Sequence, residues 1–187
     1  MITIVTGLPR SGTSLMMQML EAGGMPVLAD GVRGADLDNP RGYYELEKVK
    51  RLDRDATWLN EAEGKAFKLV YLLLYDLPRD REYKALFMER NLGEVIASQN
   101  AMLARRGSPG GERSDAEWRV LFTRELANAR HWLAEQPNFK VLYVNYNELL
   151  AAPEAGLESV ARFLERPLDT QAMRTAIDAS LYRHRQD

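Results

Sequence analysis

An α/β fold of the P-loop type, a three-layer sandwich with a central parallel β-sheet flanked by helices, is predicted from three observations. A β-branched run at residues 2–5 ends at a glycine-bearing turn, and an apolar helical period starts just beyond it. Strand-like and helix-like segments then alternate to the end of the chain, the pattern of a parallel sheet covered on both faces. The segment Phe67-Lys68-Leu69-Val70-Tyr71-Leu72-Leu73-Leu74 is nearly continuous in apolar character, as expected for a strand with no solvated face. In folds of this kind ligands sit outside the carboxyl ends of the strands.

The elements follow in order. The first strand stops at Gly7, Pro9 and Gly12, and Leu15, Met16, Met19 and Leu20 mark the apolar side of a helix that Gly23-Gly24 and Pro26 end near residue 21. Residues 30–42 are rich in Gly, Asp and Pro and read as an irregular connection. A charged helix is expected over residues 46–59, and the apolar run 67–74 is expected to form one strand. Residues 84–89 form another strand, which delivers Arg90 at its carboxyl end, and helical spacing resumes at Leu92, Val95, Ile96, Gln99, Met102 and Leu103. Residues 107–114 hold three Gly and a Pro and are expected to form a surface loop or lid. A long helix from residue 115 to about 135, a strand over 139–146, a helix opened by Pro153 and running to 164, and a last helix capped by Asp169 and reaching 179 complete the chain. Length favours one domain over residues 1–187.

Composition narrows the chemistry. A net charge of −2 gives no bulk electrostatic reason for a nucleic-acid or anionic-membrane partner, so any anion site must be local. The absence of Cys excludes disulfides, thiolate metal sites and a Cys nucleophile, and fits a reducing compartment. Residues 2–6 follow Met1 without a basic leader, and the apolar stretch near 69–74 is too short to span a bilayer, so a cytoplasmic protein without a membrane span is expected.

The most informative segment is Gly7-Leu8-Pro9-Arg10-Ser11-Gly12-Thr13-Ser14. Backbone N–H groups at a helix start are unpaired and carry partial positive charge, so a glycine turn between strand and helix cradles a phosphate or sulfate. The spacing matches the G-x-x-x-x-G half of a Walker A loop, but Thr13 stands where the NTPase pattern needs Lys, and Arg10 is the cation of the loop. Downstream, Arg90 leaves its strand at the ligand edge while Ser98 lies on the following helix, so guanidinium and hydroxyl can converge on a second anion.

Pro9-Arg10-Ser11-Gly12-Thr13-Ser14 resembles, in its bacterial form, the 5′-phosphosulfate loop of sulfotransferases that use 3′-phosphoadenosine 5′-phosphosulfate (PAPS). Arg90-Asn91-Leu92-Gly93-Glu94-Val95-Ile96-Ala97-Ser98 is similar to that family's 3′-phosphate segment, and Tyr146-Asn147-Glu148-Leu149-Leu150 with Pro153-Glu154 to its late strand-to-helix segment. The resemblance implies PAPS as donor and 3′,5′-adenosine bisphosphate (PAP) as product, with no metal required. It implies a hydroxyl or amine of a small-molecule or carbohydrate acceptor, and the net charge of −2 leads to no expected nucleic-acid partner. Pro9, Arg10, Ser11, Gly12, Thr13, Ser14, Arg90 and Ser98 are the expected donor-binding residues.

Sulfuryl transfer demands alignment and stabilisation of charge on the departing oxygen, and Arg10 is expected to supply that charge. Arg cannot donate its proton at neutral pH, whereas many relatives carry Lys at this position. The His base of cytosolic sulfotransferases has no match: His131 falls within a predicted helix and His184 in the last residues. Asn39-Pro40-Arg41-Gly42-Tyr43-Tyr44-Glu45 resembles a segment of bacterial sulfotransferase-like proteins and offers Glu45 as the carboxylate base. Lys68 either points to the cleft or snorkels from the strand end. The chain ends Leu181-Tyr182-Arg183-His184-Arg185-Gln186-Asp187, where larger relatives carry a basic, Gly-rich loop for the 3′-phosphate. Two alternatives stay open on the sequence: an ATP- or GTP-dependent kinase with Ser14 on Mg²⁺, and a nucleotide-binding module without catalysis.

Overall fold

β1 (Ile2–Gly7) is buried along its whole length at the centre of a parallel sheet. The computed structural model describes residues 1–36, 39, 41–105, 107 and 113–178. Among these the sheet has five strands in the order β2-β3-β1-β4-β5, with β2 (Val27–Leu28), β3 (Ala66–Lys68), β4 (Tyr83–Glu89) and β5 (Phe139–Asn145). Every pairing is parallel, and β1 runs in register with β4 from Ile2 opposite Tyr83 to Gly7 opposite Met88.

The period of two along the strands sorts side chains into two cores. Ile2 and Ile4 of β1 and Tyr83 and Phe87 of β4 enter one face, where α2 (Leu92–Arg105) supplies Val95 and Ile96 and α3 (Asp115–Ala134) supplies Phe122 and Leu133. Val5, Leu86 and Met88 enter the other. There they meet Met16, Met19 and Leu20 of α1 (Thr13–Ala22), Leu157 and Val160 of α5 (Pro153–Leu164) and Met173 of α6 (Thr170–Thr175). α4 (Tyr146–Ala151) follows β5 directly, because the Asn145 side chain accepts from the N–H groups of Asn147 and Glu148 and starts a helix there. Asp169 caps α6 as expected, through Ala172 N at 2.9 Å, but α6 ends at Thr175 instead of reaching 179.

The chain leaves β1 toward β2 on one side and leaves β4 toward β5 on the other. The point where the strand order reverses therefore lies between the carboxyl ends of β1 and β4, the expected place for a ligand.

Three expectations are corrected. The apolar run 67–74 is not one strand: β3 ends at Lys68, and residues Tyr71–Asp76 form a 3₁₀ turn. Tyr71 and Leu74 are buried three apart while Val70 and Leu72 are 42% and 53% exposed, a pattern no doubly buried strand allows. The charged stretch 46–59 is not one helix but two 3₁₀ turns, Glu47–Arg51 and Thr57–Ala62. Asp55 accepts from both the N–H and the hydroxyl of Thr57, at 2.9 and 2.6 Å, and this local turn competes with helix continuation. The short edge strand β2 was not expected, and the strand over 139–146 ends one residue early. The 107–114 loop falls largely outside the described residues, apart from Gly107, Arg113 and Ser114, as does the tail 181–187. Ser114 itself opens α3 with a capping box, reciprocated by Glu117. No helix of the described residues is long and apolar enough to cross a membrane.

Candidate functional site

The β1–α1 loop owes its shape to three residues with positive φ: Gly7 (146°), Arg10 (70°) and Gly12 (99°). A Cβ at Gly7 would stand 2.5 Å from the Met88 carbonyl oxygen, and one at Gly12 would stand 2.3 Å from the Tyr146 ring. Both positions need glycine for close approach as well as for φ. Gly12 is the N-cap of α1 and brings no capping side chain, and the first turn has no acidic residue. The helix start thus keeps the partial positive charge that favours an anion. The Ser11 hydroxyl lies under the loop, buried, with no hydrogen-bond partner among the described residues.

The second motif reaches the first through hydrogen bonds. Arg10 Nε donates to Ser98 Oγ at 3.0 Å, and Arg90 donates from a terminal nitrogen to the Arg10 carbonyl at 3.1 Å. Arg90 Nε donates to Glu94 at 2.8 Å, and its guanidinium carbon lies 4.6 Å from the centroid of the Tyr146 ring. Burial lowers the Arg10 pKa, with Arg90 and Arg105 adding to the effect and Tyr43 and Asp36 opposing it.

A wall formed by β3 and the 30–45 connection faces the loop. Lys68 Nζ donates to Ser14 Oγ at 3.2 Å and to the Tyr43 carbonyl, which also accepts from Ser14 Oγ. Burial foremost pulls the Lys68 ammonium down to about 8; Arg33 and Arg10 push the same way and Glu45 opposes. The Arg33 guanidinium lies 3.3 Å from the Tyr43 ring centroid and pairs with Glu45 at 2.7 Å, while the Tyr43 hydroxyl donates to Asp36. Arg41 ties this connection to the C-terminal segment through the Ala176 carbonyl at 2.7 Å and Asp178 at 3.1 Å.

Of these residues Gly7, Arg10, Gly12, Ser14, Arg33, Tyr43, Glu45, Lys68, Arg90, Ser98, Arg105, Tyr146 and Asp178 line one cleft of about 500 Å³. In a chain of net charge −2 its walls carry Arg10, Arg33, Lys50, Lys68, Arg90 and Arg105 against Glu45 and Asp178, a local excess of positive charge. Leu46, Val49, Val70, Leu73 and Met102 give it an apolar side.

Pro9, Arg10, Gly12, Thr13, Ser14, Glu45, Arg90 and Ser98 all line the cleft, and Ser11 lies beneath it. The Arg10 side chain points to Ser98, and the ammonium beside Ser14 comes instead from Lys68. His131 is exposed on α3, pairs with Glu135 and does not line the cleft. His184, Arg183 and Arg185 lie outside the described residues. Sequence reasoning missed Arg33 and the roles of Glu94, Tyr146 and Asn147. Only Glu94 carried a readable signal, its i,i+4 spacing from Arg90.

The sulfotransferase domain family matches residues 2–186. Similar solved structures include the sulfotransferase domain from the curacin biosynthetic pathway, at 18% identity over 96% of this chain and 78% of that one, with a TM-score of 0.54. Mouse sulfotransferase SULT7A1 complexed with PAP matches at 16% identity over 94% of this chain, with a TM-score of 0.59, and the chain spans 64% of its length. Sulfotransferase STF1 from Mycobacterium tuberculosis H37Rv matches at 17% identity over 97% of this chain and 73% of that one, with a TM-score of 0.51. At these identities the likeness is one of fold. Among curated proteins no sequence matches significantly.

Proposed function

Since the chain belongs to the sulfotransferase domain family, a family of enzymes, we propose that it moves a sulfuryl group from PAPS to a hydroxyl or amine of a small-molecule or carbohydrate acceptor. The proposal includes one domain over residues 1–187 and a cytoplasmic setting, which a cysteine-free chain suits. One observation carries the reading. The loop at Gly7–Ser14 and the Arg90–Ser98 segment meet through Arg10, so two anion-binding motifs share a single cleft.

The residues present fit the donor. Gly7 and Gly12 leave a cradle that a Cβ would fill, and the uncapped start of α1 directs backbone N–H groups into it. Pro9, Arg10, Ser11, Gly12, Thr13 and Ser14 would hold the phosphosulfate, and Arg90 and Ser98 the 3′-phosphate. The donor supplies an activated sulfuryl group whose bond to the bridging phosphate oxygen breaks as the acceptor oxygen or nitrogen bonds to sulfur.

Lys68 and Arg10 bring positive charge toward the departing oxygen, and Lys68 alone of the two can also give up a proton near neutral pH. Glu45, held by Arg33 in the opposite wall, takes the acceptor proton. The apolar side of the cleft keeps water from the reacting groups and strengthens each of these charges. The position of Lys68 also weighs against a metal-dependent kinase, since an ammonium occupies the Ser14 hydroxyl that such a site would give to Mg²⁺.

Calorimetric titration with PAP tests the reading. The expected result is metal-independent binding that Arg90→Ala weakens by about 30-fold, the loss of a charge-assisted contact. Equal binding by wild type and variant, or a requirement for Mg²⁺, would overturn it.

A further inference from the structure

We propose that Glu94, anchored by Asn147, is a positioning residue that sets the Arg90 guanidinium for the 3′-phosphate; the inference rests on the PAPS reading above. Glu94 lies in the first turn of α2 with its side chain 1% exposed. A carboxylate so deeply buried is costly to hold ionised unless both oxygens are engaged. Both are: one accepts Arg90 Nε at 2.8 Å, and the other accepts Asn147 Nδ2 at 3.0 Å. Asn147 is fixed in turn, because its side-chain oxygen accepts the N–H of Asn91 at 3.1 Å. The end of β4, the start of α2 and the start of α4 are therefore tied at one point.

The geometry determines what Arg90 presents. Engaging Nε fixes the plane of a guanidinium, because it stops rotation about the last side-chain bonds. Glu94 holds Nε, the Arg10 carbonyl holds a terminal nitrogen and the Tyr146 ring lies against the face. Glu94 and Ser98 are four apart on α2 and share a helix face, so the residue that aims Arg90 and the hydroxyl beside it move as one body. A negative charge this close to a phosphate site would oppose binding if it faced the ligand. Spent on Arg90 and Asn147, it acts through the arginine instead.

The test is calorimetric titration of the full chain with PAP and, separately, with adenosine 5′-phosphate, which lacks the 3′-phosphate. Glu94→Gln keeps the volume but weakens the acceptor for Arg90, and the expected result is a PAP affinity about tenfold lower with adenosine 5′-phosphate affinity within twofold of wild type. Asn147→Ala is expected to lower PAP affinity about threefold with the same selectivity, and it decides the matter if Glu94→Gln does not fold. A purely structural role would lower the melting temperature of both variants and leave the affinity ratio of the two nucleotides unchanged, which would overturn the inference. A wild-type chain with no preference for PAP would instead bring down the PAPS reading itself, and this inference with it.

Discussion

The two walls of the cleft are built differently. The proposed donor wall rises from the centre of the sheet: the loop between β1 and α1, the end of β4 and the face of α2 are joined by part-buried hydrogen bonds among Arg10, Ser98, Arg90, Glu94 and Asn147, with the side chains of Arg90, Glu94 and Ser98 themselves buried. The opposite wall is formed by the described residues of the 30–45 connection, held by Arg33 stacked on Tyr43, by the Arg33–Glu45 pair and by Arg41 reaching the C-terminal segment. Regular elements hold a site within tight geometric limits, whereas a loop held by partly exposed side-chain pairs can change composition without disturbing the core. On the proposed reading the donor, common to every turnover, meets the wall built from regular elements. On the same reading the acceptor meets the adjustable one.

Gly12→Ala should break this contrast most severely. The new methyl would enter the Tyr146 ring at a backbone angle that side chains rarely adopt, for a destabilisation on the order of 3 kcal/mol. Chemical unfolding is expected to show that loss, with PAP binding lost alongside. A variant as stable as wild type would mean that the donor wall is not rigid.

Lys68 stands where the walls meet and sharpens the comparison through pH. If its ammonium serves the departing oxygen, kcat/KM falls as pH rises through about 8, where the free protein loses that proton. Lys68→Met is expected to lower kcat about 100-fold and to remove that limb of the profile. Stability changes with the opposite sign. The folded state lowers the pKa below the ordinary lysine value, so burial of the ammonium penalises folding fully below about 8 and not at all above the unfolded value. Lys68→Met is thus expected to unfold at a higher temperature than wild type at pH 7, with the difference vanishing in alkaline buffer. An unchanged profile in Lys68→Met would exclude Lys68 from the chemistry.

The smallest effect belongs to Arg41→Ala, which frees the 30–45 connection from Ala176 and Asp178. A partly exposed pair is worth about 1 kcal/mol or less, so the melting temperature should fall by only a few degrees. The acceptor KM is expected to rise about threefold with PAP affinity unchanged, since the loss is confined to the adjustable wall. An equal loss in PAP affinity would show that the two walls are not separate.

The donor wall was the more legible of the two in the sequence. Gly7, Gly12 and the helix period after them are local signals, and the structure places the first strand, the first helix, β4 and α2 close to the expected positions. The Asp169 cap, the Pro153 start and the long helix α3 were legible for the same reason. Residues 67–74 were misread because composition does not distinguish an apolar strand from a 3₁₀ turn that buries every third residue, and residues 46–59 because the Asp55–Thr57 turn competes with a helix that charge spacing alone allows. The role of Arg33 was not visible, because a guanidinium in a loop looks like any surface charge until Tyr43 is folded beneath it.

The sequence by itself determined the alternation of strands and helices, the glycine loop at the end of β1 and the two motifs that can each hold an anion. These depend on neighbours within a few residues, where backbone sterics and helix-end polarity act. Only the tertiary structure decided that Arg10 reaches Ser98, that Lys68 supplies the ammonium beside Ser14 which Thr13 does not, and that Asn147 takes the second oxygen of Glu94. Each of those contacts joins segments brought together by the parallel order of the sheet, and burial at that junction gives the charges their strength.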